Sequence, residues 1–159
     1  MIRFYRDSDQ SAVTDLVLGI QNEEYHLGIA LSDQADLNNI NSNYRDKGGA
    51  FWVAEDNSGA VVGCIGLMVL TAEIGVLKKF FVASDFRGLE KGTSYALFST
   101  LISLASKLGI KTIVLDSPSV VTRAHAFYRR AGFYSIAKES LPVTYDYPDR
   151  NSLLFMLRL

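Results

Sequence analysis

The sequence predicts a single mixed α/β domain spanning residues 1–159. Strand-like and helix-like hydrophobic periods alternate in the order β-α-α-β-β-β-α-β-α-β-β. No linker, internal repeat or low-complexity run divides them. The composition, 48% apolar and 21% charged, is that of an ordinary globular chain, and 159 residues suffice to bury a proper core.

Ile2 to Tyr5 reads as a short opening strand. Asp7 or Ser8 can cap a helix whose Val13, Leu16, Val17 and Ile20 share one face at i, i+3, i+4 and i+7. Gln21 to Ala35 is polar and turn-rich, and Asp36 to Lys47 reads as a weaker helix stopped by Gly48-Gly49. Phe51 to Glu55 and Ala60 to Leu70 are strands joined by the turn Asp56-Asn57-Ser58-Gly59, hence a hairpin. Glu73 to Val82 is the next strand. Gly92 to Leu108 places Leu97, Leu101, Leu104, Ala105 and Leu108 on one helical face, with Gly109 as its stop. Lys111 to Asp116 is a short β-branched strand closed by Ser117-Pro118. Thr122 to Ala131 is a helix carrying Ala124, Phe127, Tyr128 and Ala131 on one stripe; Phe133 to Lys138 and Ser152 to Leu159 are the late strands.

A formal charge of −1 argues against a nucleic-acid or anionic-membrane partner, whose affinity needs clustered cations. Cys64 is the only cysteine and lies in an apolar run, so it reads as a buried hydrophobe, with no disulfide framework or metal cluster. That run is too short and Gly-interrupted to span a bilayer, and the N-terminus lacks a signal-peptide segment; the expected location is cytoplasmic. No His, Cys or Asp grouping has metal-ligand spacing, and no Gly-x-Ser-x-Gly elbow or Walker-type lysine occurs.

The most informative stretch runs from Lys78 to Gly92. The strand end Phe80-Phe81-Val82 feeds Arg87-Gly88-Leu89-Glu90-Lys91-Gly92-Thr93, and an amphipathic helix opens at once. The first N–H groups of a helix have no intrahelical partner, and the dipole adds partial positive charge there. Glycines let successive N–H groups form an anion-binding concavity, so the turn suits phosphate.

This segment, together with Ala124-His125-Ala126-Phe127-Tyr128-Arg129-Arg130-Ala131-Gly132-Phe133, resembles the GNAT superfamily of acyl-CoA-dependent N-acetyltransferases over nearly the full chain. The second segment is similar to the family's A-x-x-[LF]-Y-x-x-x-G-F helix. The turn departs from the family's [QR]-x-x-G-x-[GA] at Glu90, which stands where the middle glycine is usual and brings a negative charge toward the diphosphate; Lys91 is positioned to offset it. A second departure is Val121-Thr122, where the family often has Asn.

The resemblance implies a central, mostly antiparallel mixed sheet with a splayed parallel pair of strands and about four flanking helices. It implies acetyl-CoA as co-substrate, with Phe80, Phe81 and Val82 pairing their main chain with the pantetheine arm. Arg87, Gly88, Leu89, Glu90, Lys91, Gly92 and Thr93 surround the diphosphate, and Tyr128 stands near the thioester sulfur as cofactor contact and general acid. The packed-aromatic reading of Tyr128 remains open, since it lies on the apolar face of its helix beside Phe127. The acceptor implied is a primary amine of a small molecule or peptide; the alternative is an acyl-CoA-binding sensor that does no chemistry.

An amine with a pKa near 10 is mostly protonated at neutral pH, so a base must accept a proton. Asp116, at the end of its strand, and Glu73 are the two candidates; Asp116 can equally cap the following turn and Glu73 can equally be a solvated strand end. His125 is expected to face solvent, and His26 with Glu23, Glu24 and Tyr25 can either line a cationic-acceptor pocket or form a solvated loop. The apolar run Leu153 to Leu157 is compatible with a homodimer contact or with core.

Overall fold

The computed structural model describes residues 1–159. Seven strands form one sheet in the order β1-β2-β3-β4-β5-β7-β6, with β1 Ile2–Phe4, β2 Ala50–Glu55, β3 Val61–Val69, β4 Ile74–Val82, β5 Thr112–Ser117, β6 Tyr134–Ile136 and β7 Leu153–Arg158. Every neighbouring pair is antiparallel except β4 and β5. That one parallel pair needs a crossover, supplied by helix α4, Thr93–Lys107.

The β2–β3 hairpin forms where the turn chemistry requires it. The Asp56 side chain accepts the N–H groups of Ser58 at 2.8 Å and Ala60 at 3.0 Å, closing the corner. In α4, Leu97, Phe98, Leu101 and Ala105 are the buried stripe, so Phe98 joins the expected face while Leu108 is left exposed. Leu97 and Leu101 are fully buried, and truncating either to alanine is worth about 2–5 kcal/mol. Helix α5, Thr122–Arg130, packs Tyr128 beside Phe133 and Phe155 on the same side of the sheet.

The opposite side is covered in two halves. Helix α1, Gln10–Leu18, and the single turns α2, Ala35–Asn38, and α3, Ile40–Asn43, pack Val13, Val17, Leu37, Ile40 and Tyr44 on Phe51, Val53 and Cys64. The 137–152 connection lays Leu141, Val143 and Tyr145 over Val76, Val114 and Met156. The expected helix over Asp36–Lys47 is thus two turns broken at Asn39, whose backbone leaves the helical region (φ −149°, ψ 68°). The segment after α1 is not a loop from its start: Gly19–Glu24 winds on as a π-helical turn.

Two irregularities in the middle of the sheet position everything that follows. β4 pairs with β5 only through Ile74, Gly75 and Val76; from Leu77 onward the strands part. Against β3 the register slips between Cys64 and Gly66, a β-bulge with Lys79 in the left-handed region at φ 52°. A lysine held there costs of order 1–2 kcal/mol and persists only where its surroundings hold it. β7 lies between β5 and β6 with Leu154, Phe155 and Met156 buried, so the run Leu153 to Leu157 is largely core. No helix is long and apolar enough to cross a membrane.

Candidate active site

Where β4 and β5 part, a cavity of about 690 Å³ opens through the sheet. Its walls include Phe80, Phe81 and Val82 of β4, Asp116 and Ser117 of β5, Tyr128 of α5, and Arg87, Gly88, Leu89 and Gly92 of the turn into α4. The β4 edge beyond Val76 has no strand beside it on this side, so its main chain faces the opening.

The turn combines left-handed glycines with the unpaired N–H groups of a helix start. Gly88 and Gly92 hold φ of 105° and 71°, values a residue with a Cβ rarely adopts. Gly92 caps α4, and Ala96 is the first helical residue whose N–H finds a carbonyl, at Gly92, 2.9 Å away. The N–H groups of Thr93, Ser94 and Tyr95 are thereby left at the positive end of the helix dipole. Leu89 and Lys91 are solvent-exposed, as is Glu90. The Glu90 carboxylate folds back over Gly88, where a Cβ would lie 3.2 Å from Oε1.

Arg87 is oriented from two sides. Its Nε donates to the Val82 carbonyl at 2.7 Å, and its Nη2 donates to Glu24 Oε2 at 2.7 Å. The arginine beside it holds the Glu24 carboxyl below the usual carboxylate range. Glu24, for which the sequence leaves open an acceptor pocket or a solvated loop, is the counter-ion of Arg87, delivered by the π-helical turn.

Tyr128 is 5% exposed among Phe80, Phe127, Phe133 and Phe155. Its hydroxyl makes no hydrogen bond, yet it is not an orphaned buried group, so it keeps an opening to the cavity. Burial, with a smaller push from Asp116, raises its pKa well above that of a free phenol, which preserves the proton at neutral pH.

Asp116 caps no turn through its side chain; it accepts the Tyr145 hydroxyl at 3.0 Å. Burial pushes its carboxyl above the usual range, against the pull of Lys78, the Tyr145 hydrogen bond and Lys79. Glu73 is not brought to the site: it is exposed at the other end of β4, paired with Lys111 at 3.0 Å. His125 is also displaced from its expected place. It is 3% exposed, its Nε2 lies 3.0 Å from Ser117 Oγ, and its ring packs on Phe155. His26 is exposed at φ 54°, while its neighbour Tyr25 reaches the cavity wall.

Three groups here carry no sequence expectation. Lys78 is buried, donates from Nζ to the Asp146 carbonyl at 3.0 Å, and lies 5.5 Å over the Tyr145 ring. Lys79 Nζ pairs with Asp36 Oδ2 at 3.2 Å, and Asp36 also accepts the Tyr44 hydroxyl at 2.5 Å. Arg150 joins the two sides of the opening, donating from Nε to the Leu27 carbonyl at 2.9 Å. Two adjacent lysines inside an apolar strand were the available signal, since simple alternation cannot send both to water.

A family model described as an acetyltransferase (GNAT) domain matches residues 47–135. The chain belongs to the GNAT acetyltransferase family. An acetyltransferase from Streptococcus agalactiae 2603 superposes with a TM-score of 0.95 at 34% identity, covering 100% of this chain and 98% of that one. Human N-acetyltransferase 8B is 27% identical over 138 residues, 84% of this chain and 60% of that protein, so the match spans less than two thirds of the human relative. N-acetylglutamate synthase from Neisseria gonorrhoeae, solved with coenzyme A and N-acetyl-glutamate, shares the GNAT fold with a TM-score of 0.76 at 20% identity, covering 100% of this chain and 35% of that one.

Proposed function

We propose that the chain transfers an acetyl group from acetyl-CoA to a primary amine of a small molecule or peptide by direct attack in a ternary complex. The observation that carries this reading is the parting of β4 from β5 directly above the Gly88–Gly92 turn, with Tyr128 and Asp116 both in the walls of the opening. The free β4 edge at Phe80 to Val82 offers main-chain groups to the amide-bearing pantetheine arm. The helix N-terminus, with Arg87 beside it, offers positive charge to the diphosphate.

In the reaction, the amine nitrogen attacks the thioester carbonyl carbon and the new C–N bond forms. The carbonyl π electrons move to oxygen, then return as the C–S bond breaks. The departing sulfur takes the Tyr128 phenolic proton; the amine gives its proton to Asp116, directly or through one water. Proton transfer of this kind contributes about 10²–10⁴-fold. Its raised pKa makes Asp116 a stronger base than a free carboxylate. Holding both reactants in one slot adds the advantage of proximity. A cytoplasmic setting, with a free, buried Cys64, is part of the same reading.

The Glu90 carboxylate over Gly88 favours a second reading, a sensor that binds acyl-CoA and does no chemistry. Thiol release from acetyl-CoA with a panel of amines, set beside calorimetry of acetyl-CoA binding, separates the two. Amine-dependent thiol release supports the transferase; tight binding without turnover on any amine supports the sensor.

A further inference from the structure

The cavity has two chemically distinct ends. Leu77, Phe80 and Val82 face the α4 and α5 layer with Tyr128, while Val76, Val114 and Met156 face the other side under the 137–152 connection. Strand alternation from Val76 to Lys78 and from Val114 to Asp116 brings both polar residues to that other side. The acceptor must approach from there, because the turn and α4 lie at the opposite end.

On that side the charges are unevenly satisfied. Lys79 has a carboxylate partner in Asp36 at 3.2 Å. Lys78, only 9% exposed, has none within ion-pair distance; one of its three N–H groups meets a neutral carbonyl, that of Asp146. Asp116 accepts one hydroxyl, that of Tyr145, and pairs with no cation. An ammonium taken out of water is costly unless a counter-ion meets it. The site therefore offers one unclaimed cation and one unclaimed anion to whatever enters.

We propose that the acceptor is an amine that itself bears an acidic group, a carboxylate as in an amino acid, and that Lys78 holds that group while Asp116 faces the amine. The proposal rests on the acetyltransferase reading. A carboxylate supplies the counter-ion that Lys78 lacks, and the charge-assisted bond fixes which nitrogen points through the slot. The same lysines work against other substrates. A simple polyamine could set one nitrogen at Asp116 but would bring its further positive charge beside Lys78, which selects by repulsion as well as attraction.

Matched acceptors decide the point: amino acids, the corresponding carboxamides, and the corresponding decarboxylated amines, each assayed by thiol release at saturating acetyl-CoA. The expected result is a kcat/KM at least about tenfold higher for the acids, the scale of one charge-assisted hydrogen bond. Lys78→Met should collapse that preference toward unity, mainly by raising KM for the acid, and Lys78→Arg should restore part of it. If the carboxamide or the decarboxylated amine is used as well as the acid, the proposal is overturned while the transferase reading stands. A Lys78→Met loss that falls equally on acid and amide overturns it too. Should Lys78→Met fail to fold, the wild-type comparison of acid against amide still decides. If the protein binds acetyl-CoA by calorimetry yet acetylates no member of the panel, both readings fall.

Discussion

Glu24 clasps the guanidinium of Arg87 across 63 residues of sequence, with Nη2 and Oε2 2.7 Å apart, and so ties the turn after β4 to the end of the first helical segment. The proposed diphosphate seat and one wall of the cavity are thereby joined through a single arginine. An anion arriving at the turn must share Arg87 with Glu24.

Removing that competition should strengthen cofactor binding. Glu24→Gln is expected to tighten acetyl-CoA several-fold by calorimetry, and Arg87→Ala to weaken it about tenfold, the scale of a lost charged hydrogen bond. Because Arg87 lowers the Glu24 pKa, the pair stabilises the fold above the ordinary glutamate value, and that contribution is lost as pH falls through the depressed one. The pair is partly exposed on its Glu24 side and screened there by solvent, so the effect on Tm should be small. Arg87→Ala binding acetyl-CoA as well as the native chain would remove Arg87 from the seat.

Tyr128→Phe should lower kcat about tenfold or more while leaving Tm unchanged. The hydroxyl holds no hydrogen bond in the fold, so deleting it leaves no partner orphaned. A variant with full turnover would reduce Tyr128 to an aromatic packed against Phe80 and Phe155.

For Asp116, rate and stability should both respond to pH. Its raised pKa means the native chain holds a proton that the unfolded chain has already released, between the ordinary aspartate value and the native one. Stability therefore falls as pH rises across that window, and Asp116→Asn should flatten the slope. The same substitution should abolish the acidic limb of the rate profile. If the limb persists in Asp116→Asn, another group is the base.

Glu90 offers the converse test of the turn. Glu90→Gln removes a negative charge lying over Gly88, and Glu90→Gly also restores the glycine usual in the family. Each should tighten acetyl-CoA several-fold, most clearly at low salt, where exposed charges are least screened. Unchanged affinity at low salt would show that the carboxylate stays clear of the diphosphate.

The strand, turn and helix from Phe80 to Thr93, and the Tyr128 helix, were legible because each rests on local chemistry: periodicity, positive-φ glycines and a helix start. What escaped was set by pairing at a distance. Nothing near Glu24 in sequence announces Arg87, and nothing near Asp116 announces Tyr145. His125 looked like a polar residue off the apolar stripe, yet Ser117 and Phe155 close over it. Glu73 was plausible as a strand residue, but only the register shows that it ends the wrong half of β4. The break at Asn39 and the π-helical turn depend on how α1 to α3 settle on β2 and β3, which one-dimensional periodicity does not encode.

The extra residue at Lys79 also governs how this chain can vary. Leu77 faces the α4 layer, and so do Phe80 and Val82, although odd and even positions should point to opposite sides. The bulge is what resets the count. Flattening the bulge at constant length would turn the second half of β4 inside out, driving Phe81 into the Tyr128 layer and expelling Phe80 and Val82, whereas deleting one residue from Lys78-Lys79 would give a regular pleat that leaves all three facing as they do. The strand therefore tolerates loss of a residue at Lys78-Lys79 better than loss of one anywhere else along it, where the facing beyond the cut would reverse.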